Sequence, residues 1–385
     1  MQRKLRFGMV GGGRGAFIGA VHRMAACLDG TAELVCGALS SSPAKARASA
    51  MDWFLPTERA YASYTEMFRR ETRLPPSRRM DFVIIVTPNH VHAPAILAAL
   101  EAGFPVACDK PLCLSLAEGK KIAAAIRRTR LPFLLTHNYS GYPMVRQARV
   151  MVRAGRLGRI RKILVEYPQG WLATRLETTG QKQAGWRTDP KRAGAAGCMG
   201  DIGTHAHHLA EYVSGRILQE VCADLTRFVR GRKLDDDGNV LLRFDQGVKG
   251  VLHASQISVD EENGLSLRIY GEKGGLEWRQ EEPNTLIWKR LDSPRQILRA
   301  GRNYGHLDEH ARSACRLPAG HPEGYLEAFA NLYVAFNRDL EAWRTGRKLT
   351  GDYPGIHEGL RGMSFLEAVV RSSRAGGRWT KLPFG

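Results

Sequence analysis

Directly behind a short strand-like run, residues 4–10, the chain places glycines at 11, 12, 13, 15 and 19, and a helical stretch from Phe17 to Leu28 follows. A strand that breaks into a glycine-rich turn and reopens as a helix restricts the fold more than any other feature here. Gly11-x-Gly13-x-x-Ala16 has the spacing of a dinucleotide-binding turn. Gly11 permits the tight turn, Gly13 lets the main chain approach a pyrophosphate, and a small residue at 16 lets helix and strand pack closely. The helix behind it offers N–H groups and a partial positive charge. Arg14, Ala16, Phe17 and Ile18 join Gly11 and Gly13 as candidate cofactor contacts.

The pattern continues as strand and helix in alternation. Strands are predicted at 31–39, 82–86, 105–108 and 132–136, and helices at 43–51, 94–102 and 116–128. Phe82-Val-Ile-Ile-Val86 is the continuous apolar run of a strand buried on both faces. This predicts an α/β chain whose residues 1–137 form a Rossmann-type, doubly wound parallel sheet. Beyond 137 the texture changes. Helix signals at 142–154 and 204–213 flank strand signals at 160–167, 221–229, 239–244, 250–256 and 265–271. Residues 138–385 therefore read as a second α/β domain with a large open, mainly antiparallel sheet. Residues 290–322, rich in Arg, Gly and Pro, read as a long loop. Helices at 323–345 and 356–373 end the chain and are candidates to pack back on the first domain.

Composition narrows the function classes. Fifty-seven Lys and Arg against 38 Asp and Glu give a net charge of +19. The basic residues are spread along the chain and the densest knots, 127–130 and 156–162, are short. The charge reads as a surface that attracts anions such as dinucleotides, not as a nucleic-acid interface. No apolar run reaches the roughly 18 residues of a membrane span, and residues 1–7 have no signal-peptide layout. Seven cysteines without a CxxC pair argue against a disulfide framework or a metal finger and fit a reducing cytoplasm.

Several segments carry candidate chemistry. The end of the second strand, where a ribose-binding acid is expected, reads Ala38-Leu39-Ser40-Ser41-Ser42 with Lys45 close by. Serines there suit a ribose hydroxyl or a 2′-phosphate and the bases favour a phosphate, so this slot alone leaves NAD and NADP open with a slight lean to NADP. Thr87-Pro88-Asn89-His90 follows a strand at the carboxyl edge, where cofactors lie. Thr87 and Asn89 suit a cofactor ribose, and helix capping explains them equally well. Cys108-Asp109-Lys110-Pro111 ends another strand, so that Lys110 projects toward the crevice of such sheets. Asp201 and His205 are four apart; on a helical turn they share a face about 5–6 Å apart at Cβ, as a carboxylate-oriented acid/base imidazole. The nearby His207 and His208 do not have a familiar zinc spacing, and no metal is expected.

Together these segments resemble the Gfo/Idh/MocA oxidoreductase family. The resemblance rests on the glycine loop, Thr87-Pro88-Asn89-His90, Asp109-Lys110-Pro111 in place of the family's Glu-Lys-Pro, Gly200-Asp201-x-Gly203-x-His205, and the Gly271-x-x-Gly274 turn. The glycine loop departs from the pattern by extra glycines and by Ile18-Gly19. The resemblance implies a dehydrogenase in which Lys110 contacts the reacting hydroxyl and helps relay its proton, Asp201 and His205 bind the substrate, and His205 is the general acid/base. The motif spacings are similar to the subgroup acting on cyclic sugars and polyols, among them scyllo-inositol, L-glucose and levoglucosan dehydrogenases. That subgroup uses NAD, which shifts the cofactor expectation to NAD ahead of NADP.

His92, Asp109, Lys110 and Asn138 complete the expected cofactor contacts. Lys110, Asn138, Tyr142, Trp171, Arg175, Trp186, Arg187, Asp201, His205 and His321 are the expected substrate contacts. The resemblance further implies a homodimer or homotetramer formed through the second sheet. Two other readings stay open: redox-assisted glycoside cleavage with a recycled cofactor, and a regulator that binds nucleotide without catalysis.

Overall fold

The computed structural model describes residues 3–384. They form two compact units: the chain up to Thr136 together with Phe329–Leu360, and His137–Ala328 together with the chain from Arg361 onward.

In the first unit β1 (Leu5–Gly11), α1 (Phe17–Cys27), β2 (Ala32–Ala38), α2 (Pro43–Asp52), α3 (Tyr64–Glu71), β3 (Phe82–Val86), α4 (Asn89–Glu101), β4 (Val106–Cys108), α5 (Leu116–Thr129) and β5 (Phe133–Leu135) follow one another. The strands make a five-stranded sheet in the order β2-β1-β3-β4-β5, with every pair parallel. All five residues of the central β3 are buried, each apolar side chain contributing about 1.5–3 kcal/mol. Gly11 pairs with Val86, Ile85 with Cys108 and Cys108 with Leu135. The glycine loop, Thr87 and Asp109 therefore all leave the sheet at one carboxyl edge.

The second unit runs through α6 (Pro143–Arg153), β6 (Ile160–Pro168), α7 (Lys182–Arg187), α8 (Pro190–Ala193), α9 (Thr204–Ser214), β7 (Leu218–Thr226), β8 (Asp237–Phe244), β9 (Lys249–Ser255), β10 (Ser266–Gly271), β11 (Gly274–Arg279), β12 (Thr285–Arg290), β13 (Ser293–Arg299) and α10 (Glu309–Arg312). Next come α11 (Tyr325–Arg344) and α12 (Ile356–Arg374), each divided between the units, and β14 (Thr380–Lys381). Nine strands form a mixed sheet in the order β13-β12-β11-β10-β6-β9-β8-β7-β14. Only the central β6–β9 pair is parallel. Burial alternates along β6 and β8, as in a sheet with one covered face. Helix α9 packs against β6, β9 and β10.

The structure corrects the sequence reading at several elements. α3 lies in a stretch where no element is predicted. α4 starts at Asn89 instead of Pro94, so the proline sits inside the helix at the cost of one intrahelical bond. β7 begins at Leu218 and ends at Thr226, earlier than the predicted 221–229. The predicted loop at 290–322 instead holds β13 and α10. β13 is an edge strand, largely exposed and containing Pro294, which hides it from a pattern that looks for apolar alternation.

Candidate functional site

In the first unit the loop after β1 turns through three glycines with positive φ, Gly11, Gly12 and Gly15. The tightest helix–strand approach lies between Gly12 and Gly19: a Cβ on Gly12 would sit 2.8 Å from the Cα of Gly19, and one on Gly19 would strike the Gly12 main chain. The packing role expected of residue 16 therefore falls on Gly19, in the Ile18-Gly19 departure. Ala16 is the N-cap of α1. Gly13 is also close-packed, since a Cβ there would sit 2.7 Å from the Leu39 carbonyl. Its N–H goes to that carbonyl (3.1 Å), and the N–H of Arg14 goes to Ser49 Oγ (2.9 Å). The Arg14 guanidinium is paired with both oxygens of Asp52 (2.6 and 2.7 Å).

A dinucleotide fits these residues. The N-terminus of α1 has no side-chain cap and no acid in its first turn, so the N–H groups of its first turn suit a phosphate. Phe17 is exposed and Ile18 half-exposed beside it. The hydroxyl of Thr87 is buried without a hydrogen-bond partner, at the sheet edge where a ribose would lie. Capping does not account for Thr87 and Asn89, because the cap of α4 is Pro88 and no side chain caps that helix. At the end of β2, Ser40 Oγ accepts the Ser42 N–H (3.1 Å), while Ser41 and Lys45 are exposed.

His92 is fully buried, with Nδ1 2.8 Å from the Pro111 carbonyl and Nε2 2.8 Å from the Thr87 carbonyl. Its ring thus braces the Thr87 turn against the Lys110-Pro111 turn, and both nitrogens face protein. Asp109 sits 3.6 Å from His22 Nε2 and accepts from Thr136 Oγ1 (3.2 Å). Burial pushes the Asp109 carboxyl up, but His22, Lys110 and His92 outweigh it and hold it at about 2. A carboxylate therefore stays ionised next to Lys110 throughout the neutral range.

In the second unit Asp201 lies in a π turn, Met199–Gly203, that runs straight into α9. Such turns recur at functional positions. Buried Asp235 sets its start, accepting the N–H groups of Gly197 (2.7 Å) and Met199 (2.8 Å) and the thiol of Cys198 (3.3 Å). Asp201 Oδ2 accepts from Arg187 Nε (2.9 Å) and Gln256 Nε2 (3.0 Å). His205 is buried among the rings of Tyr139 (4.8 Å), His137 (5.4 Å) and Tyr167 (6.3 Å). The Tyr139 and Tyr167 hydroxyls bond to each other, and Tyr167 donates to Asn263 (2.7 Å). Burial pushes the Tyr139 hydroxyl up to about 12, so it remains a donor.

The other expected residues distribute unevenly. Asn138 is fully buried, and both its amide atoms lack a hydrogen-bond partner, the signature of a group kept for a ligand. Arg187 stacks on Trp186 (4.3 Å) and faces Trp171 (5.9 Å), bringing both tryptophans to Asp201. Tyr142 is a core residue packed on Trp278 (5.4 Å). Arg175 is exposed and lies against Gly231. His321 is exposed on the loop before α11, its Nδ1 3.3 Å from the Pro318 carbonyl. Gln256 escapes the sequence reading; its one local signal is a polar residue just past a strand end.

Comparison with known proteins bears on both units. Residues 5–137 match the model of an oxidoreductase family with an NAD-binding Rossmann fold, and residues 145–277 match the GFO/IDH/MocA C-terminal domain. An oxidoreductase from Sinorhizobium meliloti is 46% identical over 99% of this chain and 100% of that one, with a TM-score of 0.89. An inositol dehydrogenase homolog from Azotobacter vinelandii, solved with NAD+, is 33% identical over 99% and 98% of the two chains, with a TM-score of 0.94. An inositol dehydrogenase homolog from Azotobacter vinelandii solved with NADH and myo-inositol is 32% identical, again over 99% and 98% of the two chains, with a TM-score of 0.91. The levoglucosan dehydrogenase of Pseudarthrobacter phenanthrenivorans is 30% identical over 226 residues, 53% of this chain and 56% of that enzyme.

Proposed function

Since the chain belongs to the Gfo/Idh/MocA oxidoreductase family and its first unit is that family's NAD-binding Rossmann domain, we propose that it oxidises a ring CH–OH of a cyclic sugar, glycoside or inositol. The observation that carries this reading is a full-length likeness to a homolog solved with NADH and myo-inositol, in a chain that keeps Lys110, Asp201 and His205. When bound, the nicotinamide supplies the hydride acceptor. The ammonium of Lys110 stabilises the developing alkoxide, and Asp109 keeps a fixed negative charge behind it. Asp201 binds the substrate hydroxyl, and a ring nitrogen of His205 takes its proton. Asn138 offers an unspent amide to cofactor or substrate.

The same reading includes a homo-oligomer, a cytoplasmic location and no nucleic-acid or membrane partner. Among the described residues no helix is long and apolar enough to cross a membrane, and all seven cysteines are free. The test is formation of reduced cofactor, followed by its near-ultraviolet absorbance, with NAD or NADP against a panel of inositols, monosaccharides and anhydrosugars. NADH formation with one polyol class is expected. A flat trace across the panel, from protein that binds NAD, would sink the reading.

A further inference from the structure

We propose that Arg187 and Gln256 are positioning residues: they clamp one oxygen of Asp201, keep the carboxylate ionised and fix its orientation toward the substrate hydroxyl. This rests on the assignment of Asp201 to substrate binding made above. Both donors reach the same atom, Oδ2, at 2.9 and 3.0 Å, and they come from separate segments, the end of α7 and the residue after β9. Each donor is itself held. Arg187 donates from Nη1 to Gln183 Oε1 (2.6 Å) and stacks on Trp186. Gln256 is 2% exposed; its N–H goes to the Asp236 carbonyl and its own carbonyl accepts the Leu172 N–H, both at 2.9 Å. Its amide has one other near acceptor, Gln169 Oε1 at 3.5 Å.

The chemistry follows from that geometry. Two donors on one oxygen, one of them a guanidinium, favour the charged carboxylate. Asp201 then binds and orients but does not take the proton, which leaves that step to His205. Arg187 from α7 and the buried hydroxyls of Tyr139 and Tyr167 are among the titratable groups that face Asp201. A glutamate at 256 would set a carboxyl directly against Oδ2, where the Gln256 amide now donates, a readable perturbation.

Gln256→Glu keeps the shape and places a carboxyl about where the amide was. With its proton on, it donates to Asp201 as the glutamine did; once ionised, it repels Asp201 across roughly 3 Å. The variant should match the wild type in kcat/KM at the acid end of the profile. It should then lose about tenfold or more as pH rises through a new step that the wild type lacks. Gln256→Leu and Arg187→Met should lose kcat at all pH values, while the Kd for NAD stays within about twofold. Uniform behaviour of Gln256→Glu across pH would mean a merely structural residue and overturn the proposal. Carbon NMR of aspartate-labelled protein, assigned with Asp201→Asn, decides the matter without turnover. Gln256→Leu and Arg187→Met should each raise the Asp201 midpoint by on the order of one pH unit. An unmoved midpoint overturns the clamp even if the wild type oxidises no polyol, an outcome that would sink only the functional reading.

Discussion

Arg361 of α12 clasps both carboxylate oxygens of Glu211 on α9. Its remaining donors reach the carbonyls of Leu218 and Phe384, each at 2.6 Å. Glu211 also accepts the Leu218 N–H (2.8 Å). The helix that carries His205 is thereby tied to the C-terminal tail and the start of β7 by one buried guanidinium. Burial pushes the Glu211 carboxyl up, yet His207 and Arg361 outweigh it and hold it well below the usual carboxylate range.

Removing one partner of this pair strands the other in a buried site, so Arg361→Ala should cost about 3–5 kcal/mol, measured by denaturant unfolding. A carboxyl whose folded pKa is depressed contributes its stability above its unfolded pKa, about 4.3. That contribution is lost as pH falls toward the folded value. Glu211→Gln should therefore be less stable than wild type at neutral pH, and the gap should narrow on acidification below about pH 4.

Lys110→Met removes the only ammonium placed beside Asp109 in the sequence motif. We expect kcat/KM to fall by about 10²–10⁴, with NAD binding, read by fluorescence titration, within about threefold of wild type. His205→Asn should lose a comparable factor. A variant at either position with near wild-type turnover would remove that residue from the proton relay.

Gly19→Ala drives a methyl into the Gly12 main chain, where backbone has to yield. The expected loss is about 1–3 kcal/mol of stability, together with a weakened Kd for NAD, because α1 moves away from the loop.

The end of β2 carries Ser40 where a ribose-binding acid is expected. Ser40→Asp should tighten NAD and exclude NADP through repulsion of the 2′-phosphate. The ratio of kcat/KM values for the two cofactors reads this directly. An unchanged ratio would mean that the ribose does not lie at Ser40.

The parallel sheet was legible because burial on both faces leaves an unbroken mark, as in Phe82 to Val86, and the glycine loop was legible because its turn needs positive φ. The placement of the close contact at Gly19 was not, because it depends on how α1 crosses β1. Ser63 and Glu66 have the readable spacing of a capping box: Ser63 Oγ accepts the Glu66 N–H (3.1 Å), while Glu66 reaches one residue further back to the Ala62 N–H (3.2 Å). α3 behind it does place Tyr64, Met67 and Phe68 at helical spacing, but it is only eight residues long, too short for periodicity to stand out from a loop. Asp201 and His205 were visible as a spaced pair. Gln256 and Asp235 were not, since their partners lie 55 and 36–38 residues away and only the folded sheet brings them together.

The cofactor unit is assembled from two stretches of chain. The ring of Phe336 packs edge-on against Phe82 (5.6 Å), Tyr333 meets His22 (2.6 Å), and the Leu135 N–H is capped by the Pro354 carbonyl (2.8 Å). During synthesis the five strands emerge early, but their cover arrives only after His137–Ala328, the larger part of the second unit, has been translated. The nascent sheet thus waits with an apolar face uncovered, the condition under which chains need a chaperone's protection. For the same reason a fragment cut at Thr136 would be an unfinished domain; a permuted gene joining Phe329–Leu360 to the first strands is the shorter route to an isolated nucleotide-binding half.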